Sequence, residues 1–382
     1  MTSSNITNRT ENLSLEEIDY QQFLEKDVPA VTFLTLLAIV GTIGNIHTLL
    51  VYSVSPVMKK LGVRVFILWL SGTDLIACVA CIPFEICDIR FSFTFSSEGA
   101  CKFFRFLNHA VTLTSAGVLT AIAIERLKIN SKRMPRRVGK PFIWLNVTCA
   151  CIAAISICLS IPAFVFYGLN KKETDGDIFG TDCTILSQYQ TIKAAGLYAG
   201  VVILLSTVCF LVSVVIYGKI LYMICTQMKR ERERLGKANQ YQMNLSTDAT
   251  SKETQEISTL SHVVDSQSKS GSLTPGVSNI ETKEKSHKRS KYEKGRQLTK
   301  SLIVATGISY LGYLIYVATI MVKLVNPQLY ENSIRPATAI LLRAYFINNA
   351  INPVVFCLLD VTFRNECKIL YKNGFSKLFS ND

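Results

Sequence analysis

The side chain that most constrains this sequence is Asp74, a carboxylate set within the apolar run from Val63 to Cys87. An ionisable group carried into hydrocarbon costs several kcal/mol unless partners meet it there, which makes an intramembrane acid a functional candidate by default. Near the end of another run stand Glu125 and Arg126, an adjacent acid and base. A guanidinium in that place can stay with its neighbouring acid or leave it for a partner, and two alternatives of this kind make a switch. Toward the opposite ends of the runs come Glu85, Arg105, Asn108, His109, Thr112, Tyr313, Tyr316, Arg343 and Tyr345. That mixture of opposed charges, amides and aromatic rings suits a polar peptide or its terminus. An enzyme is not indicated, because no nucleophile and base, and no metal-ligand spacing, fall together in one membrane leaflet.

The elements that must position these groups are helices in a bilayer. Hydrophobic residues are 49% of the 382, and they gather into seven blocks: roughly Ala30–Val54, Val63–Cys87, Lys102–Ile129, Phe142–Tyr167, Ile192–Ile224, Thr299–Val325 and Arg335–Leu359. About 20 consecutive apolar residues carry a helix across roughly 30 Å of hydrocarbon. The expected fold is an all-α membrane protein, a seven-transmembrane helix bundle over residues 29–360. Residues 1–28 form a polar tail ahead of it. Inside it, residues 227–297 are rich in Ser, Thr, Lys, Glu and Gln, too polar for burial to offset the entropy of ordering them; they read as a disordered loop with helical, basic ends. After the last block, Val361–Lys372 sets Phe363, Ile369 and Leu370 against Arg364, Lys368 and Lys372 at helical spacing. Within residues 361–382 this predicts a short amphipathic eighth helix along the inner membrane surface, on which Cys367 is a candidate for palmitoylation.

A formal charge of +13 would point to nucleic acid if it formed one patch on a soluble domain. Here the positive residues alternate between loops instead. Lys59, Lys60 and Arg64 follow the first block, Lys128, Lys132, Arg133, Arg136, Arg137 and Lys140 the third, and Lys229, Arg230, Arg232 and Arg234 the fifth. Cytoplasmic loops hold such an excess, which places the amino end outside and the carboxyl end inside and excludes nucleic acid as a partner. Sequons at Asn5, Asn8 and Asn12 agree, since glycosylation requires the secretory lumen. No apolar leader precedes them, so the first span is expected to act as the insertion signal. Of the twelve cysteines, Cys101 and Cys183 fall in oxidising space, where disulfides persist; a bridge between them is expected, with Cys87 as the rival partner.

Further motifs run in order along the blocks: Gly44-Asn45 in the first, Leu70-Ser71-Gly72-Thr73-Asp74 in the second, Glu125-Arg126-Leu127 closing the third 25 positions after Cys101, and Asn352-Pro353-Val354-Val355-Phe356 in the seventh, then Phe363-Arg364. In that order and spacing the chain resembles the rhodopsin-like (class A) G-protein-coupled receptors, and among them the neuropeptide receptors. The resemblance implies an allosteric sodium ion held by Asp74, Ser115, Asn348 and Asn352, oxygen ligands of the kind hard cations favour, and no other cofactor. It also implies that Glu125, Arg126, Tyr217, Tyr310, Asn352, Pro353 and Phe356 carry the coupling switch, and that a heterotrimeric G protein, arrestin and a receptor kinase are partners beside the bilayer.

Several positions depart from the family pattern. Phe356 stands where the usual tyrosine would bridge through water to Tyr217, and Ser309-Tyr310-Leu311-Gly312 replaces C-W-x-P, leaving glycine as the means of bending the sixth span. Ile152 takes the usual tryptophan's place and Cys209 that of a proline. Asn108, where amine receptors carry aspartate, argues against an amine ligand, and Phe346, where opsins carry lysine, excludes a retinal Schiff base. The expected function is therefore a receptor for an extracellular peptide that activates a G protein. The alternatives are a receptor for a small molecule or lipid, a binding-only decoy, or a channel or transporter lined by Asp74, Ser115, Asn348 and Asn352.

Overall fold

The computed structural model describes residues 14–131, 142–173, 178–190, 193–259, 276–329 and 337–379. The sequons at Asn5, Asn8 and Asn12, and the basic run from Lys132 to Lys140, lie outside them. Among the described residues six helices are long and apolar enough to cross a membrane, and seven when the bent pair at the end of the chain counts as one span. The architecture is a seven-transmembrane bundle.

Taking the basic-loop side as inner, the first span runs within one continuous helix, Leu15–Val54. Thr32, Thr35 and Thr48 are tolerated in it because each donates back to the carbonyl four residues earlier, at 2.8 to 3.0 Å, which satisfies these three hydroxyls without water. The second span, Arg64–Arg90, widens to a π turn at Ala77–Cys81 just before Pro83. Proline lacks the N–H that would close the preceding turn, and a π turn absorbs the gap. The third helix, Glu98–Asn130, starts on a Ser97 cap whose hydroxyl accepts from Ala100 N at 3.3 Å. The fourth span, Phe142–Phe166, exposes Ile143, Trp144 and Ile155, an apolar face suited to lipid.

Beyond it strands β1 (Tyr167–Glu173) and β2 (Phe179–Ile185) form an antiparallel hairpin in which Leu169 faces Cys183. Next come helices Lys193–Thr259 and Gly276–Val325. The chain divides into two units, residues 1–216 with 296–382, and residues 217–295. In the second unit the described residues of the 227–297 stretch are helical, as expected of its two ends but reaching farther into the stretch than composition suggests. From Lys193 to Thr259 there is no proline, and Lys, Arg, Glu, Gln and Ala are good helix formers, so nothing local ends the helix. The seventh span is assembled from Thr338–Leu341, a 3-10 turn Ala344–Phe346 and Ile347–Leu359. Val361–Phe379 follows, at 91° to it. This is the expected eighth helix, and Cys367 lies half-buried on it, against the inner core.

Close packing explains two glycines. A Cβ on Gly44 would lie 2.6 Å from Pro353 Cβ, so glycine lets the first span approach the seventh; beside it Asn45 Nδ2 donates to Gly41 O and Asn349 O at 2.9 and 2.8 Å. The sixth helix is continuous through Gly312, the residue left by the sequence as a means of bending it. A Cβ there would lie 2.5 Å from Ala344 O, so this glycine serves close approach to the seventh span.

Candidate functional site

At the outer end, spans two, three and seven meet in a cluster of four charges. Glu85 accepts from Arg105 Nη1 at 2.5 Å and from Arg343 Nε at 2.9 Å. Asp88 accepts from Arg105 Nη2 at 2.7 Å, with Arg343 Nη2 farther off at 3.7 Å. Arg105 also donates to Cys183 O at 3.2 Å and lies over the rings of Phe84 and Tyr167. Two acids and two guanidiniums balance, which is the condition under which buried charges are tolerated. Beneath them Asn108 Nδ2 donates to Tyr345 OH at 2.6 Å, and the Tyr345 ring meets that of Tyr316 edge to face at 5.2 Å. His109 Nδ1 pairs with Tyr198 OH at 2.8 Å, and Tyr313 OH donates to Ile203 O at 2.9 Å. Thr112, Tyr313, Tyr345 and Asn348 line a cavity of about 40 Å³.

The loops brace this cluster from above. Cys101 and Cys183 are joined, their Cα atoms 5.6 Å apart, which ties β2 to the third span; Cys87 is free. Thr181 exchanges backbone hydrogen bonds with Phe93 and Phe95. Ser92, Phe93 and Thr94 in turn surround Asp19, a buried acid on the helix ahead of the first span, which accepts from Ser92 Oγ, Phe93 N and Thr94 Oγ1 at 3.1, 3.3 and 2.6 Å. On β2, burial pushes the Asp182 carboxyl above its usual range, partly offset by Lys172 and Arg105.

Asp74 is fully buried. It accepts from Ser115 Oγ at 3.1 Å, Asn349 Nδ2 at 2.9 Å and Asn352 Nδ2 at 2.8 Å. Asn348 does not reach it: its Oδ1 is buried without a hydrogen-bond partner among the described residues, at the wall of the 40 Å³ cavity. The oxygens of Asp74, Ser115 and Asn348 suit a small hard cation, whereas Asn352 meets the acid through its amide nitrogen. At the inner end Arg126 is buried, Glu125 faces Lys128 at 3.9 Å, and Phe356 packs against Tyr52 and Phe363. Tyr310 OH lies 3.2 Å from Ser213 Oγ. Tyr217 opens the second unit.

Residues 44–356 match the family model of the seven-transmembrane receptors of the rhodopsin family. The chain belongs to that receptor family. Within it, the receptor is 28% identical over 145 residues to neuropeptide Y receptor type 6 of Mus musculus, a match covering 36% of this chain and 37% of the mouse protein. The chain therefore spans well under half of that relative's length.

Sequence reasoning missed four members of the receptor's clusters: Asp88, Asn349, Tyr198 and Asp19. Asp88 follows Glu85 by three positions and so shares its helical face, a signal that was readable. Asp19 sits in an acidic, polar segment that gives no hint of burial.

Proposed function

We propose that this receptor sits in the plasma membrane with its amino end outside, binds an extracellular peptide among its outer charges and aromatic rings, and activates a heterotrimeric G protein at its inner face. The observation that carries this reading is the outer quartet of Glu85, Asp88, Arg105 and Arg343 lying over an amide and aromatic floor. Each charge there already has a partner, so a peptide's own charged and amide groups can exchange with them at little electrostatic cost, while an apolar ligand gains nothing from the same groups. The name of the mouse relative points the same way. A ligand transmits a signal only by binding one of two bundle arrangements better than the other; in this reading the inner face opens and Arg126 receives the partner.

Asp74, Ser115 and Asn348 would hold the sodium ion, which when bound supplies a positive charge opposite the buried carboxylate. Asn5, Asn8 and Asn12 would carry glycans and Cys367 an acyl chain, with arrestin and a receptor kinase as further partners. The test is a screen of peptide, lipid and amine libraries against cells expressing the receptor with a promiscuous G-protein reporter. Peptides are expected to give the response; a response confined to lipids or small amines would overturn the ligand class.

A further inference from the structure

Among the described residues Tyr52, on the inner turn of the first span, is the largest side chain with no exposure at all, and its hydroxyl has no hydrogen-bond partner among them. The ring cannot turn away. It is packed against Phe356 and Phe363, with centroids 6.4 and 6.0 Å distant, and its own carbonyl holds Arg64 Nε at 2.8 Å. Neither neighbouring ring carries a hydroxyl, so this phenol is the one polar group of the three-ring cluster. The charged groups whose fields reach it are Asp360 and Arg126. Asp360 is held in place, its Oδ1 accepting from Thr362 N and Phe363 N at 2.9 and 3.2 Å to start the eighth helix. Arg126 belongs to the third span.

A buried hydroxyl without a partner raises the free energy of the arrangement that leaves it so, and an arrangement that pairs it is favoured by the difference. We infer that Tyr52 is a positioning residue for the inner-face transition: unpaired in the arrangement seen here, its hydroxyl takes a hydrogen bond from the Arg126 guanidinium when the inner face opens. The fixed ring supplies a ready acceptor, and the arginine moves to it. This inference rests on the receptor activating a G protein, as proposed above.

The test uses the full-length receptor in lipid nanodiscs, with basal nucleotide exchange measured on a panel of purified heterotrimeric G proteins and thermal unfolding measured in parallel. Tyr52→Phe removes only the hydroxyl. It is expected to raise the unfolding temperature by about 2–4 °C and to lower basal exchange about tenfold, or ~1.4 kcal/mol. Adding Phe356→Tyr, which returns a hydroxyl to the same ring cluster, should restore exchange at least in part. Exchange unchanged by Tyr52→Phe while the wild type is active would overturn the inference alone. An unfolding temperature that stays the same or falls would overturn it too, since the hydroxyl would then be satisfied in the resting arrangement, by water or otherwise. A wild type silent on every G protein would remove the proposed function, and the inference with it.

Discussion

Removing the charge of Glu85 should harm the receptor at least as much as removing the charges of Glu85 and Arg343 together. Glu85 has 4% of its side chain exposed and meets two guanidiniums, at 2.5 and 2.9 Å. Glu85→Gln leaves Arg105 and Arg343 to share Asp88, and an uncompensated buried charge costs about 3–5 kcal/mol. Arg343 is 16% exposed and lies 3.7 Å from Asp88, so Arg343→Gln removes one charge-assisted bond to Glu85, worth about 1.5–3 kcal/mol. In the double variant the 2.7 Å pair of Arg105 and Asp88 remains as a balanced ion pair. Its loss should therefore be no larger than that of Glu85→Gln alone, a coupling of roughly 1.5–3 kcal/mol. The buried thiols Cys78, Cys81 and Cys149 provide the assay, since a thiol-reactive fluorophore reports their exposure during a thermal ramp. Losses in the two single variants that simply add, within about 0.5 kcal/mol, would show that the four charges do not act as a unit.

Further perturbations test other parts of the structure. Arg126→Ala should abolish ligand-stimulated nucleotide exchange while ligand binding survives; full exchange in that variant refutes the role given to Arg126. Sodium chloride should raise the melting temperature of the wild type more than choline chloride does, and Asp74→Ala should erase the difference; equal effects of the two salts on the wild type would remove the ion. Asp19→Ala deletes the acceptor of three hydrogen bonds, at a local cost of about 1–3 kcal/mol. Hydrogen exchange at the Phe93 amide should then quicken tenfold or more, and unchanged protection would show that the turn holds without the acid.

The bundle was legible because hydrocarbon imposes a length and an apolarity on each helix, and those survive in the sequence without reference to neighbours. The disulfide was legible for a similar reason: the topology expected from the basic loops put Cys101 and Cys183 in oxidising space, with Cys87 as the rival partner that the structure leaves free. Contacts that depend on how one helix turns against the next were less so. Gly312 reads from its place in the chain as a residue able to bend the sixth span, and the sequence gives no sign that its missing side chain admits the Ala344 carbonyl. Composition points to a disordered loop with helical ends after the fifth span, and helix propensity without a proline carries the described backbone of the first of those ends on to Thr259.

The asparagines beside Asp74 show where such reading stops. Counted back from Asn352, Asn349 and Asn348 lie three and four positions away, and both spacings put a side chain on the same helical face. Spacing alone cannot choose between them, because the choice is a rotation of about 100° about the helix axis. That rotation is set upstream, where the 3-10 turn Ala344–Phe346 precedes Ile347–Leu359. Residues in a 3-10 turn advance about 120° each instead of 100°, so a short stretch is enough to change which asparagine faces the second span. With that phase fixed, Asn349 donates to the acid and Asn348 turns its oxygen to the cavity wall. One of the adjacent pair thus holds the carboxylate while the other turns its acceptor to the cavity, a division of labour that two identical residues in sequence cannot announce.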